Sequence, residues 1–241
     1  MPPLSLRPPI EEIEGILGFL ATEGIPRDTR LLDVPCGIGR RALGLAEAGF
    51  TVTAVDPNEM GIAAAKARIP HGLEGRLTFV AARRETLPGL PTEDRFDLIL
   101  SLDHPLGRTP SEDEVAFLGR LKGHVREGGR LVLDLLHRDF FSARRRAFAF
   151  HAIGPVEQHE FRSFDPVTGV LRLEWTFYER VGEDLKHRTE SVAEMTLPTP
   201  QDVRAVLDRA GWHLVNVWGG WGREPVNSDR RKLIVLATPT G

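Results

Sequence analysis

The sequence predicts an α/β protein: a doubly wound, mostly parallel sheet with a reversed edge strand near the C-terminus, carrying an inserted antiparallel β meander. Three observations support this. Short apolar runs alternate with amphipathic stretches from residue 8 to residue 136. The helical pattern stops after Arg144-Arg145-Arg146 and gives way to β-type runs, and the chain closes on helix, strand, turn and strand.

Behind Pro8-Pro9, residues Ile10, Ile13, Ile16, Leu17 and Leu20 recur at three- and four-residue spacing with Glu11, Glu12 and Glu14 opposite, which predicts an amphipathic helix over 8–23. Leu31-Leu32-Asp33-Val34 is a short apolar strand. It runs into a glycine turn at 37–39 and then a helical stretch through Leu43, Leu45 and Ala46 that stops at Gly49. Thr51-Val52-Thr53-Ala54-Val55-Asp56 is the second strand, followed by a helix from Asn58 to about Ile69. Strands at 77–80 and at Phe96–Leu102, a helix at about 111–125 and a strand at Arg130–Leu136, introduced by Glu127-Gly128-Gly129, continue the alternation.

Between 147 and 197 no helical stripe is visible. Instead, β-type stretches at 156–164, 170–180 and 186–196 are separated by Asp165-Pro166-Val167-Thr168-Gly169 and Gly182-Glu183-Asp184, both turn-forming clusters. A helix at 200–210 ending at Gly211, and strands at 212–218 and 231–238, complete the pattern. The expected organisation is one domain of residues 1–146 and 198–241, interrupted by an antiparallel substrate or lid region at 147–197.

Composition narrows the function classes. With 241 residues, 41% hydrophobic content and 31 basic against 34 acidic residues, the chain has an ordinary globular balance and a formal charge of −3. That charge, and the lack of a basic stripe interleaved with aromatics, argue against a nucleic-acid partner. Lysine occurs only at positions 66, 122, 186 and 232, so arginine supplies the other 27 basic residues. The single cysteine, Cys36, excludes an intramolecular disulfide and a cysteine-built zinc site, and no metal-ligand motif is visible. No run approaches the roughly 18 apolar residues of a membrane span, and Glu11, Glu12 and Glu14 stand where a signal peptide would be apolar. A soluble, cytoplasmic protein is expected.

The most informative segment is Leu31-Leu32-Asp33-Val34-Pro35-Cys36-Gly37-Ile38-Gly39. A strand that runs into a glycine turn and a helix presents backbone N–H groups to a ligand that the missing side chains let approach closely. Asp56 ends the next strand 17 residues beyond Gly39, where a carboxylate can accept both hydroxyls of a ribose. Gly37-Ile38-Gly39-Arg40-Arg41-Ala42 also satisfies the dinucleotide pattern with Ala in third place. Asp33 separates the two readings: it would repel a pyrophosphate but suits a ligand with an amino group or sulfonium.

In these residues the chain resembles class I S-adenosylmethionine-dependent methyltransferases, whose first motif has the form Asp-x-x-x-Gly-x-Gly. The resemblance extends to Asp56-Pro57-Asn58-Glu59-Met60, Phe96-Asp97-Leu98-Ile99-Leu100-Ser101, Glu127-Gly128-Gly129-Arg130-Leu131-Val132-Leu133 and the terminal strand pair, and it implies a Rossmann-like fold. It implies S-adenosylmethionine as cofactor, with Asp33 and the Pro35-Cys36-Gly37-Ile38-Gly39 backbone on the methionine moiety. Asp56 would then hold the ribose and Met60 pack on the adenine, with Pro57, Asn58, Ala82, Arg83, Ser101 and Leu102 as further cofactor-binding residues. Taken singly, Asp33 equally caps a turn, Asp56 a helix, and Met60 a core; the ordered set points to the cofactor. After the third strand many members have an acid that meets the adenine amino group, where this chain has Ala82 or Arg83, with Glu85 as a possible substitute.

Methyl transfer is an in-line displacement that depends on positioning, with a base needed only where the acceptor loses a proton. The acceptor side is expected beyond the fourth strand, at Asp103-His104-Pro105-Leu106-Gly107-Arg108. His104 is the candidate base or acceptor orienter, with Asp103 and His137 as alternatives or helpers; His104 facing water is the bland alternative. The resemblance adds a small-molecule acceptor, which the inserted meander at 147–197 would enclose. Trp218-Gly219-Gly220-Trp221-Gly222 is turn-rich and is placed at the same cleft. A non-catalytic S-adenosylmethionine- or partner-binding module, and a nicotinamide-dependent oxidoreductase, are the competing classes.

Overall fold

A computed structural model describes residues 10–83, 87, 90, 95–103 and 111–241. Eleven strands and six helices are defined among them: α1 (Ile10–Thr22), β1 (Arg30–Asp33), α2 (Arg40–Glu47), β2 (Thr51–Asp56), α3 (Glu59–Lys66), β3 (Leu77–Ala81), β4 (Phe96–Ser101), α4 (Ser111–Gly123), β5 (Val125–Leu136), α5 (Arg138–Ala143), β6 (Arg146–Ile153), β7 (Val156–Asp165), β8 (Val170–Val181), β9 (Asp184–Thr196), α6 (Pro200–Arg209), β10 (Trp212–Trp218) and β11 (Lys232–Pro239).

Seven strands form the main sheet in the order β10-β11-β5-β4-β1-β2-β3. The strands from β3 to β5 run parallel, and β11 joins β5 antiparallel with β10 beyond it, so the edge hairpin is reversed as expected. Both faces are covered, which is why β1 is apolar on successive residues. Leu31 packs with Ile16, Phe19 and Leu20 of α1 and with α2 and α3, while its neighbour Leu32 packs with Phe117, Leu118 and Leu121 of α4 and with α6. The break in the sheet order between β1 and β4 leaves a crevice at the carboxyl ends of the strands, where ligands of open α/β sheets bind.

The meander is a second, four-stranded antiparallel sheet in the order β6-β7-β8-β9. Its root packs on the main body through Phe141, Phe164, Leu171 and Leu197, with Leu136 and Leu173 beside them. Arg138 donates to Pro166 O and Leu197 N–H to Gly169 O at the same junction. The Asp165–Gly169 turn forms as the sequence predicts, with Asp165 accepting from Val167 N–H and Thr168 Oγ1.

Several boundaries differ from the sequence expectation. β5 begins at Val125, and the Gly128-Gly129 turn is an irregularity inside it: Phe96 pairs with Val125 and Leu98 with Arg130. Helix α5 and strand β6 are additional elements. α5 has six residues, too few to show a period, and β6 turns its alternating Phe148 and Phe150 to solvent, against the usual apolar-in rule. Among the described residues no helix is long and apolar enough to cross a membrane.

Candidate functional site

The turn after β1 is fastened on both sides by backbone bonds. Val34 N–H donates to Leu100 O of β4 (2.9 Å) and Cys36 N–H to Val55 O of β2 (2.9 Å). Gly37 and Gly39 have φ of +60° and +78°, the left-handed region that glycine enters without steric cost. A Cβ on Gly39 would stand 2.3 Å from the Phe79 ring, whereas one on Gly37 would meet nothing within 4 Å. The second glycine therefore lets α2 pack on β3, and the first leaves its backbone open to the crevice. Gly39 is the N-cap of α2 and supplies no side-chain cap, so the helix presents its first N–H groups towards the crevice.

Asp56 joins β2 to this turn. Its Oδ2 accepts the Gly37 N–H (2.8 Å) and its Oδ1 the Asn58 N–H (2.9 Å). The cap of α3 is Asn58, which accepts from Gly61 N–H (3.0 Å), so capping does not account for Asp56. Each of its carboxylate oxygens keeps a further lone pair for a ligand hydroxyl. Pro57 and Met60 are exposed, Met60 at 84%, which excludes a core role for Met60.

Asp33 is 1% exposed, and among the described residues neither of its carboxylate oxygens has a hydrogen-bond partner, so it caps no turn there. Burial pushes its pKa up to about 7; Arg41 opposes that shift, and Asp56 and Asp103 add to it. A buried carboxylate without a partner is costly, and a cation arriving beside it offsets that cost.

A cavity of about 320 Å³ is lined by Pro35, Cys36, Gly37, Ile38, Arg40, Arg41, Asp56, Leu102 and Asp103; Asp33, Asn58, Met60 and Ser101 are not among the lining residues. Burial, reinforced by Asp33 and Asp56, pushes the Cys36 thiol up, which makes it a small turn residue and no nucleophile. Ser101 and Leu102 are buried at the end of β4. Ala82 is buried and gives its N–H to Asp56 O (3.0 Å), while Arg83 is exposed. His104 and Glu85 lie outside the described residues.

The wall beyond β4 is an ionic chain. Arg41 binds Glu12 of α1 (2.7 Å) and Asp103, and Lys232 of β11 stands 2.6 Å from Asp134 and 3.7 Å from Asp103. Asp103 sits at φ +49°. Although burial works against it, Arg41 and Lys232 hold its carboxyl below the usual range, so Asp103 is a poor proton acceptor near neutrality. His137 is buried, with Nδ1 2.9 Å from Arg230 O and its backbone N–H on Arg231 O, so it pins the segment before β11 and is not among the residues lining the cavity. Trp218 and Trp221 pack edge-on against Phe19 of α1 at 5.2 and 5.5 Å, holding that helix, and they are likewise not among the lining residues.

Sequence reasoning missed Arg41, Asp134 and Lys232 as site-bordering groups. Signals for each exist in the sequence. Arg41 lies in the first turn of a helix, where the dipole disfavours a cation; Asp134 interrupts the apolar run Leu131-Val132-Leu133-Asp134-Leu135-Leu136; and Lys232 is one of four lysines.

Comparison with known proteins agrees with this geometry. Residues 31–129 match the family model described as a methyltransferase domain. A ubiquinone biosynthesis O-methyltransferase of Bradyrhizobium sp. (strain ORS 278) is 30% identical over 143 residues, covering 56% of this chain and 52% of that protein. The chain thus spans about half the length of the relatives it matches in sequence. Among solved structures, the CcbJ methyltransferase of Streptomyces caelestis aligns with a TM-score of 0.80 at 17% identity, over 97% of this chain and 91% of that one. An amino pentose methyltransferase from Micromonospora echinaspora, solved with S-adenosylmethionine bound, aligns with a TM-score of 0.70 at 19% identity, over 99% and 93% of the two chains.

Proposed function

We propose that the chain, whose residues 31–129 match the methyltransferase-domain model and whose fold is that of solved methyltransferases, binds S-adenosylmethionine and methylates a small-molecule acceptor. The observation that carries this reading is Asp33: a buried carboxylate with both oxygens unpartnered among the described residues, at the end of the strand that leads into the Gly37 turn, where the space a Cβ would take is empty. That pair fits a ligand with an ammonium group and would repel the pyrophosphate of a dinucleotide. When bound, the cofactor supplies a sulfonium methyl group.

The chain's own residues divide the work. Asp33 accepts from the ammonium, the turn backbone from Cys36 to Gly39 lies against the methionine moiety, and Asp56 accepts the ribose hydroxyls. Exposed Met60 is available to cover the adenine. Ala82 supplies no acid and has already committed its N–H, so the adenine edge is left to its carbonyl and to Arg83. The acceptor is held over the carboxyl ends of β4 and β5, with residues 147–197 covering that side and excluding water, and His104, outside the described residues, is assigned to orient it. A crystal grown with S-adenosylhomocysteine tests this: the ligand ammonium is expected within hydrogen-bond distance of Asp33, and a ligand seated elsewhere, or its amino end turned away from Asp33, overturns the assignment.

A further inference from the structure

Four aspartates stand at or just beyond the carboxyl ends of four neighbouring strands, in the spatial order Asp56 (β2), Asp33 (β1), Asp103 (after β4) and Asp134 (β5). The proposed function uses the first two and leaves Asp103 and Asp134 unexplained. Those two flank Lys232, and the group is graded from inside to outside: the Asp134 side chain is 2% exposed, while that of Asp103 is 57% exposed and lines the cavity. Lys232 occupies one oxygen of Asp134, and the other, Oδ1, is buried with no partner among the described residues. Arg41 does not tip the balance towards positive, since Glu12 pairs with it on its far side. Among the described residues, the wall beyond β4 therefore has two carboxylates, Asp103 and Asp134, for one cation, Lys232, once Arg41 is paired with Glu12.

Resting on the methyltransferase reading above, we propose that the acceptor is a primary or secondary amine, received as its ammonium by Asp103, with Lys232 and Asp134 as positioning residues behind it. The electrostatics favour nitrogen over oxygen. An ammonium that gives one N–H proton to water exposes a lone pair; its nitrogen then bonds the methyl carbon as the carbon–sulfur bond breaks. The product is a methylammonium and a neutral thioether. The positive charge is thus kept on the acceptor, facing a wall whose described residues carry an excess negative charge. A hydroxyl acceptor must instead lose its proton and ends neutral, so the wall loses its counter-charge, and any build-up of oxyanion is opposed by Asp103 and Asp134. Asp103 is placed to meet the substrate because its left-handed backbone and its two cationic neighbours fix the carboxylate at the cavity wall.

A matched pair of probes tests the inference without requiring turnover. Benzylamine and benzyl alcohol differ in the ammonium and little else, and each is titrated by ligand-observed NMR into the full-length protein saturated with S-adenosylhomocysteine at pH 7.5. The amine is expected to bind at least about tenfold more tightly than the alcohol. That preference should shrink to about threefold or less in Asp103→Asn, and also in Asp134→Asn, which keeps the test open should one variant fail to fold by circular dichroism. Equal binding, tighter binding of the alcohol, no binding of either probe, or a preference unchanged in the folded variants overturns the amine assignment. Calorimetry on the same samples separates the two levels: failure to bind S-adenosylhomocysteine removes the methyltransferase reading and this inference with it, whereas binding without amine preference removes this inference alone.

Discussion

The Asp56 carboxylate accepts the N–H of Gly37 at 2.8 Å, so the end of β2 holds the turn that follows β1 in shape. Structure and binding are thereby carried by one side chain. Replacing Asp56 with Ala orphans the N–H groups of Gly37 and Asn58 and is expected to cost roughly 1–3 kcal/mol of stability. It also removes the ribose acceptor, so S-adenosylhomocysteine should bind at least about tenfold more weakly. Urea denaturation and calorimetry on the same variant check both; unchanged values for a folded protein would reduce Asp56 to a bystander.

Asp33→Asn should move stability and binding in opposite directions. The ligand-free protein holds Asp33 with its pKa raised to about 7 by burial, so the neutral form is favoured in the folded state. The sign follows: the folded chain binds more protons than the unfolded one, and stability falls as pH rises from about 4 through 7. Asparagine removes that dependence, so above pH 7 the ligand-free variant should melt higher than the wild type while losing at least about tenfold in S-adenosylhomocysteine affinity. A variant that melts lower above pH 7 would mean that the carboxylate has a native partner.

Binding itself should expel a proton. An ammonium beside Asp33 favours its ionised form, so affinity for S-adenosylhomocysteine should be maximal above pH 7 and fall by up to about tenfold per unit below it. Calorimetry in two buffers of different ionisation enthalpy gives the proton count: about half a proton released near pH 7 is expected, and a count of zero contradicts the assignment of Asp33 to the ammonium.

Gly39→Ala should cost roughly 1–2 kcal/mol or more, since φ +78° disfavours a side chain and its Cβ would meet the Phe79 ring at 2.3 Å. Combining it with Phe79→Ala removes the clash and leaves the backbone term. Thermal melts of the single and double variants should therefore show a coupling; simple additivity would mean that the ring moves aside freely.

How much of this was legible in the sequence depends on how local each feature is. Asp33, Gly37, Gly39 and Asp56 are read together because a strand–turn–helix–strand unit fixes their relation within 24 residues. Arg41, Asp103, Asp134 and Lys232 meet only when β4, β5 and the reversed β11 are laid side by side, so spacing along the chain says nothing of their contact. Strand β6 was hidden for another reason: its aromatics face solvent, so alternation marks the strand without marking a core. The Trp218–Trp221 segment shows the same limit, because a glycine–tryptophan run does not reveal which surface it packs on, here Phe19.

The most direct measurement compares ligands on the unmodified protein. Calorimetry at pH 7.5 is expected to show saturable binding of S-adenosylhomocysteine and none of NAD or NADP at matched concentrations, because Asp33 favours a cationic amino acid moiety and repels a pyrophosphate. Binding of either dinucleotide with S-adenosylhomocysteine inert would contradict the cofactor assignment and every role built on it.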